Sequence, residues 1–119
     1  MNKDTIFVFG SNLAGRHGRG AARTSLKEYG AIYGQGEGLQ GDSYAIPTKD
    51  ENLKSLPLAE IAKHVERFII FAEDNPELQF YVTRIGCGLA GYTDSQIAPM
   101  FHLAPENCEL PMEWIEVLL

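Results

Sequence analysis

Apolar residues along the chain alternate between short continuous runs and longer stretches with helical spacing. Thr5 to Phe9 form a β-branched and aromatic run, which is typical of a strand covered on both faces of a sheet. Ser43 to Ile46 and Leu78 to Thr83 are further segments typical of strands, followed by a proline or a glycine-rich loop. We predict strands at these three positions and a final strand from Trp114 to Leu118.

Helical spacing marks the segments between the predicted strands. The clearest helix runs from Leu58 to Ala72, where apolar residues repeat at helical intervals and charged residues occupy the other face. A narrower apolar stripe predicts a helix that starts after the first glycine loop and ends at Gly30. A third helix is predicted from Ile97 to Leu103, with Pro99 in its first turn or at a kink. Strands that alternate with helices predict an α/β fold with a largely parallel or mixed sheet and helices on its faces, in three layers.

Two glycine-rich loops directly follow predicted strands, from Gly10 to Gly20 and from Gly86 to Tyr92. Ligands of parallel sheets bind outside the carboxyl ends of the strands. A glycine-rich loop that leads into a helix presents free N–H groups, which bind phosphate. We therefore predict that both loops face one cleft. A third glycine-rich segment, Tyr33 to Gly41, is compatible with a tight turn or with a flap over that cleft.

These loops do not match the known nucleotide-binding motifs, which disfavours two classes of reaction. Neither loop is followed by Gly-Lys-Ser or Gly-Lys-Thr, and the run from Gly15 to Gly20 departs from the dinucleotide-binding fingerprint. Nucleoside triphosphate hydrolysis and hydride transfer are therefore disfavoured. Arg16, His17 and Arg19 are candidates for phosphate contacts, with solvated loop residues as the alternative.

Composition sets outer limits on the function. The 119 residues suit one domain, and a formal net charge of -6 argues against non-specific nucleic-acid binding. Cys87 and Cys108 are too few for a disulfide framework, and no residue cluster indicates a metal ion or a cofactor. Met1 to Ile6 has no apolar core of signal-peptide length, and no apolar run is long enough for a membrane span. We expect a cytoplasmic protein without a membrane partner.

The second glycine loop and its surroundings resemble macro domains, which bind ADP-ribose. Val82 to Tyr92, with its Ile-Gly-Cys-Gly-Leu run, is similar to the diphosphate loop of the branch that removes ADP-ribose from acidic side chains or DNA. Tyr44 to Lys49 resembles that branch's Tyr-x-Ile-Thr-Lys strand end. Ser11-Asn12 and Gly18 to Ala22 resemble its first glycine loop and helix start. The likeness covers most of the chain, which also resembles small phage-associated proteins.

The resemblance implies roles for both loops. The second loop would wrap a diphosphate with backbone N–H groups, and the glycines of the first would face the distal ribose. Asn12 would bond the ribose hydroxyls, and Tyr92 would stack on or pack beside the sugar. Lys49 matches the lysine that attacks the ribose C1″ in that branch. The implied ligand-binding residues are Gly10, Ser11, Asn12, Gly18, Gly20, Gly86, Cys87, Gly88, Leu89, Ala90, Gly91 and Tyr92.

Two departures from the family pattern shape the expected function. Ala90 stands where the family has a carboxylate, which leaves Lys49 without a proton-transfer partner unless Asp94 takes that role. Residues 1–119 resemble a single macro-like domain without the family's opening strands, where an acidic residue recognises adenine. For Lys49 itself an exposed lysine in a polar turn is the ordinary interpretation, and for Cys87 a small buried filler rather than a nucleophile.

We therefore expect a module that binds ADP-ribose or a related nucleotide. Two alternatives remain open. One is an ADP-ribosyl hydrolase that uses Lys49 as its nucleophile, and the other is a protein-interaction module whose glycine loops are purely structural.

Overall fold

One mixed sheet forms the centre of the part of the chain that the computed structural model describes, residues 4–119. Its strands are β1 (Thr5–Asn12), β2 (Gly38–Gln40), β3 (Ser43–Lys49), β4 (Gln79–Val82) and β5 (Cys108–Glu109). They lie in the order β2-β3-β1-β4-β5, and all are parallel except β2, which runs antiparallel to β3. Residues 1–3, part of the segment on which the signal-peptide expectation rests, lie outside the described residues.

Helices connect the strands and lie against the sheet. They are α1 (Gly20–Glu28), α2 (Leu58–Asp74), α3 (Asp94–Ile97) and α4 (Met112–Leu118), and a 3-10 helix (Ala98–Phe101) continues α3. As predicted, α1 ends just before Gly30, and the helix predicted from Leu58 to Ala72 is α2, which ends two residues later, at Asp74. No helix in residues 4–119 is long and apolar enough to cross a lipid bilayer.

The side chains of β1 enter two hydrophobic cores in alternation. Ile6 and Val8 belong to a larger core with α2, the 3-10 helix and α4, whereas Phe7 and Phe9 belong to a smaller core with α1. Because successive residues of a strand point to opposite faces, the sheet lies between two layers of helix. This confirms the predicted α/β fold and the strand covered on both faces.

The last part of the chain differs from the prediction. The predicted final strand from Trp114 to Leu118 is wrong, because these residues lie in α4. Trp114 is buried while its neighbours Ile115 and Val117 are exposed, so only one side of this helix packs against the core. The strand that pairs with β4 at that edge of the sheet is instead the short β5.

The third helix also starts earlier than predicted. It begins at Asp94, because the side chain of Gln96 accepts a hydrogen bond from the Thr93 N–H at 2.9 Å in a capping box. From Ala98 onward the coil tightens into the 3-10 helix, with Pro99 in its first turn.

Candidate functional site

A cleft of about 450 Å³ lies at the carboxyl ends of β1, β3 and β4. The sheet order places β1 between β3 and β4, so the segments that follow all three strands meet at one edge. The first glycine loop and the start of α1 form one part of the lining, and the second glycine loop forms another. The structure thus brings together two loops that are far apart in sequence.

Most of the ligand-binding residues implied by the resemblance line this cleft. They are Gly10, Ser11, Asn12, Gly18, Gly20, Gly86, Gly88, Leu89 and Ala90. Lys49 lines it as well, half-buried at the end of β3. Five residues that were singled out do not line it: His17, Cys87, Gly91, Tyr92 and Asp94.

Tyr92 and Asp94 are engaged with other partners. The Tyr92 hydroxyl donates a hydrogen bond to the carbonyl oxygen of Leu56 at 2.5 Å. Asp94 accepts two hydrogen bonds from Arg84, at 3.1 and 2.7 Å, and one from the indole N–H of Trp114 at 2.8 Å. The Arg84 guanidinium holds the pKa of Asp94 below its usual range, with help from the indole. A carboxylate committed in this way is a poor proton-transfer partner for Lys49.

Cys87 is a half-buried side chain beside the cleft. Burial, together with the neighbouring Asp94 carboxylate, raises the pKa of its thiol to about 11. The thiol is therefore protonated at neutral pH, and a protonated thiol is not a nucleophile. The environment fits the interpretation of Cys87 as a small filler.

The lining of the cleft is positively charged. Arg16, Arg19, Lys49 and Arg84 line it, and no aspartate or glutamate of the described residues does. Within residues 4–119 the first three form no ion pair, whereas Arg84 is shared with Asp94 and Glu113. In a chain of formal net charge -6, the cleft is a local region of opposite sign.

Backbone N–H groups add hydrogen-bond donors to this lining. α1 begins at Gly20 without a side chain to cap its first turn, and within the described chain the N–H groups of residues 20–22 bond to no acceptor. In the second loop, the N–H groups of Gly86 and of residues 88–90 bond to no acceptor within the described chain. Both loops therefore offer the donors that an anion requires.

Comparison with protein-family models, with curated proteins and with solved structures finds no match. The macro-domain likeness therefore rests on the quoted motifs, and the function has to be argued from the cleft itself. Within residues 4–119 no group of three or more His, Cys, Asp or Glu side chains is placed to hold a metal ion.

The first loop is braced from within. The Asn12 side chain donates a hydrogen bond to the Arg16 carbonyl oxygen at 3.0 Å and accepts one from the Arg16 N–H at 2.9 Å. His17 is only 1% exposed, with its ring edge against Phe9 and its Nε2 3.0 Å from Gln40 Oε1. His17 is thus neither a solvated loop residue nor part of the cleft lining. The brace leaves Arg16 and Arg19 exposed on the cleft side.

The third glycine-rich segment is packed against the first loop. The N–H of Gly34 donates to the Gly15 carbonyl oxygen at 2.9 Å, and the Ser11 hydroxyl bonds the Gly36 carbonyl oxygen. The side chain of Gln40 accepts the N–H of Ile32 at 2.8 Å. These contacts favour the tight-turn interpretation of this segment over a free flap.

Glycines at the cleft are of two kinds. Gly15 has a φ of +70°, and an added Cβ would lie 2.4 Å from the backbone of residues 34 and 35, so the fold requires a glycine there. At Gly18 and Gly88 an added Cβ would meet nothing within 4 Å, and neither backbone is left-handed. Packing and backbone conformation therefore do not require glycine at these two positions.

Further lining residues were not predicted from the sequence, among them Arg84 and Leu53. Arg84 follows directly after the predicted third strand, so its place at a strand end was a usable signal. Leu53 has no such signal, because nothing in the sequence indicates the unusual turn that carries it.

Proposed function

We propose that the cleft binds ADP-ribose or a related nucleotide through its phosphate groups, as part of a macro-like domain that spans residues 1–119. The observation that carries the proposal is the cleft lining, with four cationic side chains and no carboxylate. Phosphate is bound in proteins by arginine, lysine and free N–H groups at helix starts, and this cleft offers all of them.

The glycines that the fold does not require support the same function. A glycine at an open position with ordinary backbone angles lets another molecule approach the main chain closely. Gly18 and Gly88 are such positions, one in each loop of the cleft. They count against the alternative in which the glycine loops are purely structural.

ADP-ribose is expected to bind with micromolar affinity, and Arg19→Gln is expected to weaken that binding roughly ten- to hundredfold. The reason is the loss of one charge-assisted hydrogen bond to phosphate, which contributes about 1.5–3 kcal/mol. Isothermal titration calorimetry measures both affinities, with AMP and NAD for comparison. Arg23→Gln is the matched control, because Arg23 is an exposed arginine of α1 that does not line the cleft. Equal losses in the two variants, or no binding by the unchanged protein, would contradict the proposal.

We expect Lys49 to contribute to the binding of the ligand and not to its hydrolysis. Lys49→Ala is expected to weaken ADP-ribose binding several-fold, because a cation of the lining is lost. No release of ADP-ribose from modified protein or DNA is expected from the unchanged chain, since no carboxylate of the described cleft lining can transfer a proton. Chromatographic detection of free ADP-ribose tests this. Release by the unchanged protein that disappears in Lys49→Ala would instead establish the hydrolase alternative.

A further inference from the structure

Two leucines expose apolar surface inside the cationic cleft. Leu53 is 48% exposed and Leu89 is 62% exposed, and both line the cleft. They belong to different turns, which are joined by a hydrogen bond from the Ser55 hydroxyl to the Ala90 carbonyl oxygen at 2.6 Å. Since Ser55 and Ala90 are close neighbours of the two leucines in sequence, this bond places the leucine-bearing turns side by side. We call Leu53 and Leu89 the leucine shelf.

Leu53 has a backbone conformation that leucine rarely adopts. Its φ is +65°, and it is the one non-glycine residue in the described chain with a positive φ. The turn is held by the Asp50 carboxylate, which accepts the N–H groups of Asn52 at 2.8 Å and Lys54 at 3.0 Å. The Leu53 N–H also donates to the Asp50 carbonyl oxygen at 3.0 Å. A bulky residue in this region is strained, and such strain is concentrated at functional sites.

Neither packing nor backbone preference accounts for leucine at position 53. Glycine would adopt this conformation without strain, and about half of the leucine side chain gains nothing from burial. The side chain does, however, lie in the same cleft as the phosphate-binding cations. A ligand that joins an anionic part to a flat apolar part would use both surfaces.

We infer that the leucine shelf is the seat of the nucleotide base, an inference that rests on the proposed function. The aromatic face of a base packs on aliphatic side chains, while its phosphates lie among the arginines and the free N–H groups. Tyr92 does not provide this contact, because its hydroxyl bonds Leu56 and it does not line the cleft. The site should therefore distinguish a nucleotide from a sugar phosphate that lacks a base.

Calorimetric titration with two probes tests the leucine shelf. The probes are ADP-ribose and phosphoribosyl pyrophosphate, a ribose that carries a diphosphate and a further phosphate but no base. Leu53→Gly and Leu89→Ala are each expected to bind ADP-ribose about tenfold more weakly, the loss expected when one leucine contact is removed. Their affinity for phosphoribosyl pyrophosphate should stay within about twofold of the unchanged protein.

The controls separate the shelf from stability and from the proposed function. Leu103→Ala removes a leucine that is 77% exposed and does not line the cleft, so neither affinity should change. The thermal midpoint of Leu53→Gly should not fall, because glycine relieves the strained φ. Unchanged ADP-ribose affinity in both shelf variants, or equal losses for both probes, overturns the inference alone. Absence of ADP-ribose binding by the unchanged protein overturns the proposed function and the inference with it.

Discussion

Trp114→Ala is expected to lower the free energy of unfolding by about 3–5 kcal/mol, the usual range for removing a large aromatic side chain from a core. Trp114 is fully buried, and its ring lies 4.9 Å from that of Phe101. Its indole N–H also holds Asp94, which in turn pairs with Arg84 at the cleft. The loss would be a large part of the total stability of a small domain, which is about 5–15 kcal/mol.

Urea denaturation followed by circular dichroism measures this loss. Ile115→Ala is the matched control, because Ile115 lies in the same helix and is half exposed, so its cost should stay near about 0.5 kcal/mol. Trp114→Phe keeps most of the packing and removes the N–H donor, and its cost should lie between those of the other two variants. A Trp114→Ala protein as stable as Ile115→Ala would show that α4 is not docked on the core.

Gly15→Ala is expected to cost about 3 kcal/mol or more of unfolding free energy. The left-handed φ of +70° alone costs an alanine about 1–2 kcal/mol. The added methyl group would also lie 2.4 Å from the backbone N of residue 35, so the first loop or residues 34–35 would have to move. Movement of backbone at such a contact adds the larger share of the cost.

Gly18→Ala is the matched control for this prediction, since it adds the same methyl group three positions further along the same loop. Its Cβ meets nothing within 4 Å, so the unfolding free energy should be unchanged or slightly raised. The two substitutions are therefore expected to affect different properties of the protein. Gly15→Ala lowers stability, and Gly18→Ala lowers ligand affinity in a fully folded protein. Equal unfolding free energies of the two variants would refute the close approach between the backbone at Gly15 and the backbone of residues 34–35.

Elements with continuous apolar burial were predictable from the sequence. β1, β3 and α2 lie close to their predicted positions, because each buries an uninterrupted run or a regular stripe, and β4 does so although it buries only every second residue. The end of the chain was not predictable in this way, since a short run of tryptophan, isoleucine and valine suits a strand and a helix equally well. Its helical state depends on docking Trp114 against Asp94 and Phe101, which are distant in sequence.

The position of the cleft was predictable for a topological reason, whereas several of its residues were not. Glycine loops after parallel strands meet at one edge of the sheet, so Gly18 and Gly88 could be placed together. The burial of His17 depends on Phe9 and Gln40, and no local pattern reports such contacts. The exposure of Leu53 in the cleft depends on a turn conformation that leucine disfavours. The conformational preferences of the sequence therefore do not predict it.

The central position of β1 has a consequence for the kinetics of folding. Phe7 pairs with Ser43 on one side and with Tyr81 on the other, so the first of the five described strands in sequence is completed by the fourth. At ordinary translation rates β1 leaves the ribosome roughly 4–15 s before β4 does. During that interval β1 can pair with β3, which leaves the ribosome earlier, but its other edge stays unpaired, and exposed segments of this kind attract chaperones or aggregate. Non-local pairing of this kind also slows refolding towards the millisecond-to-second range.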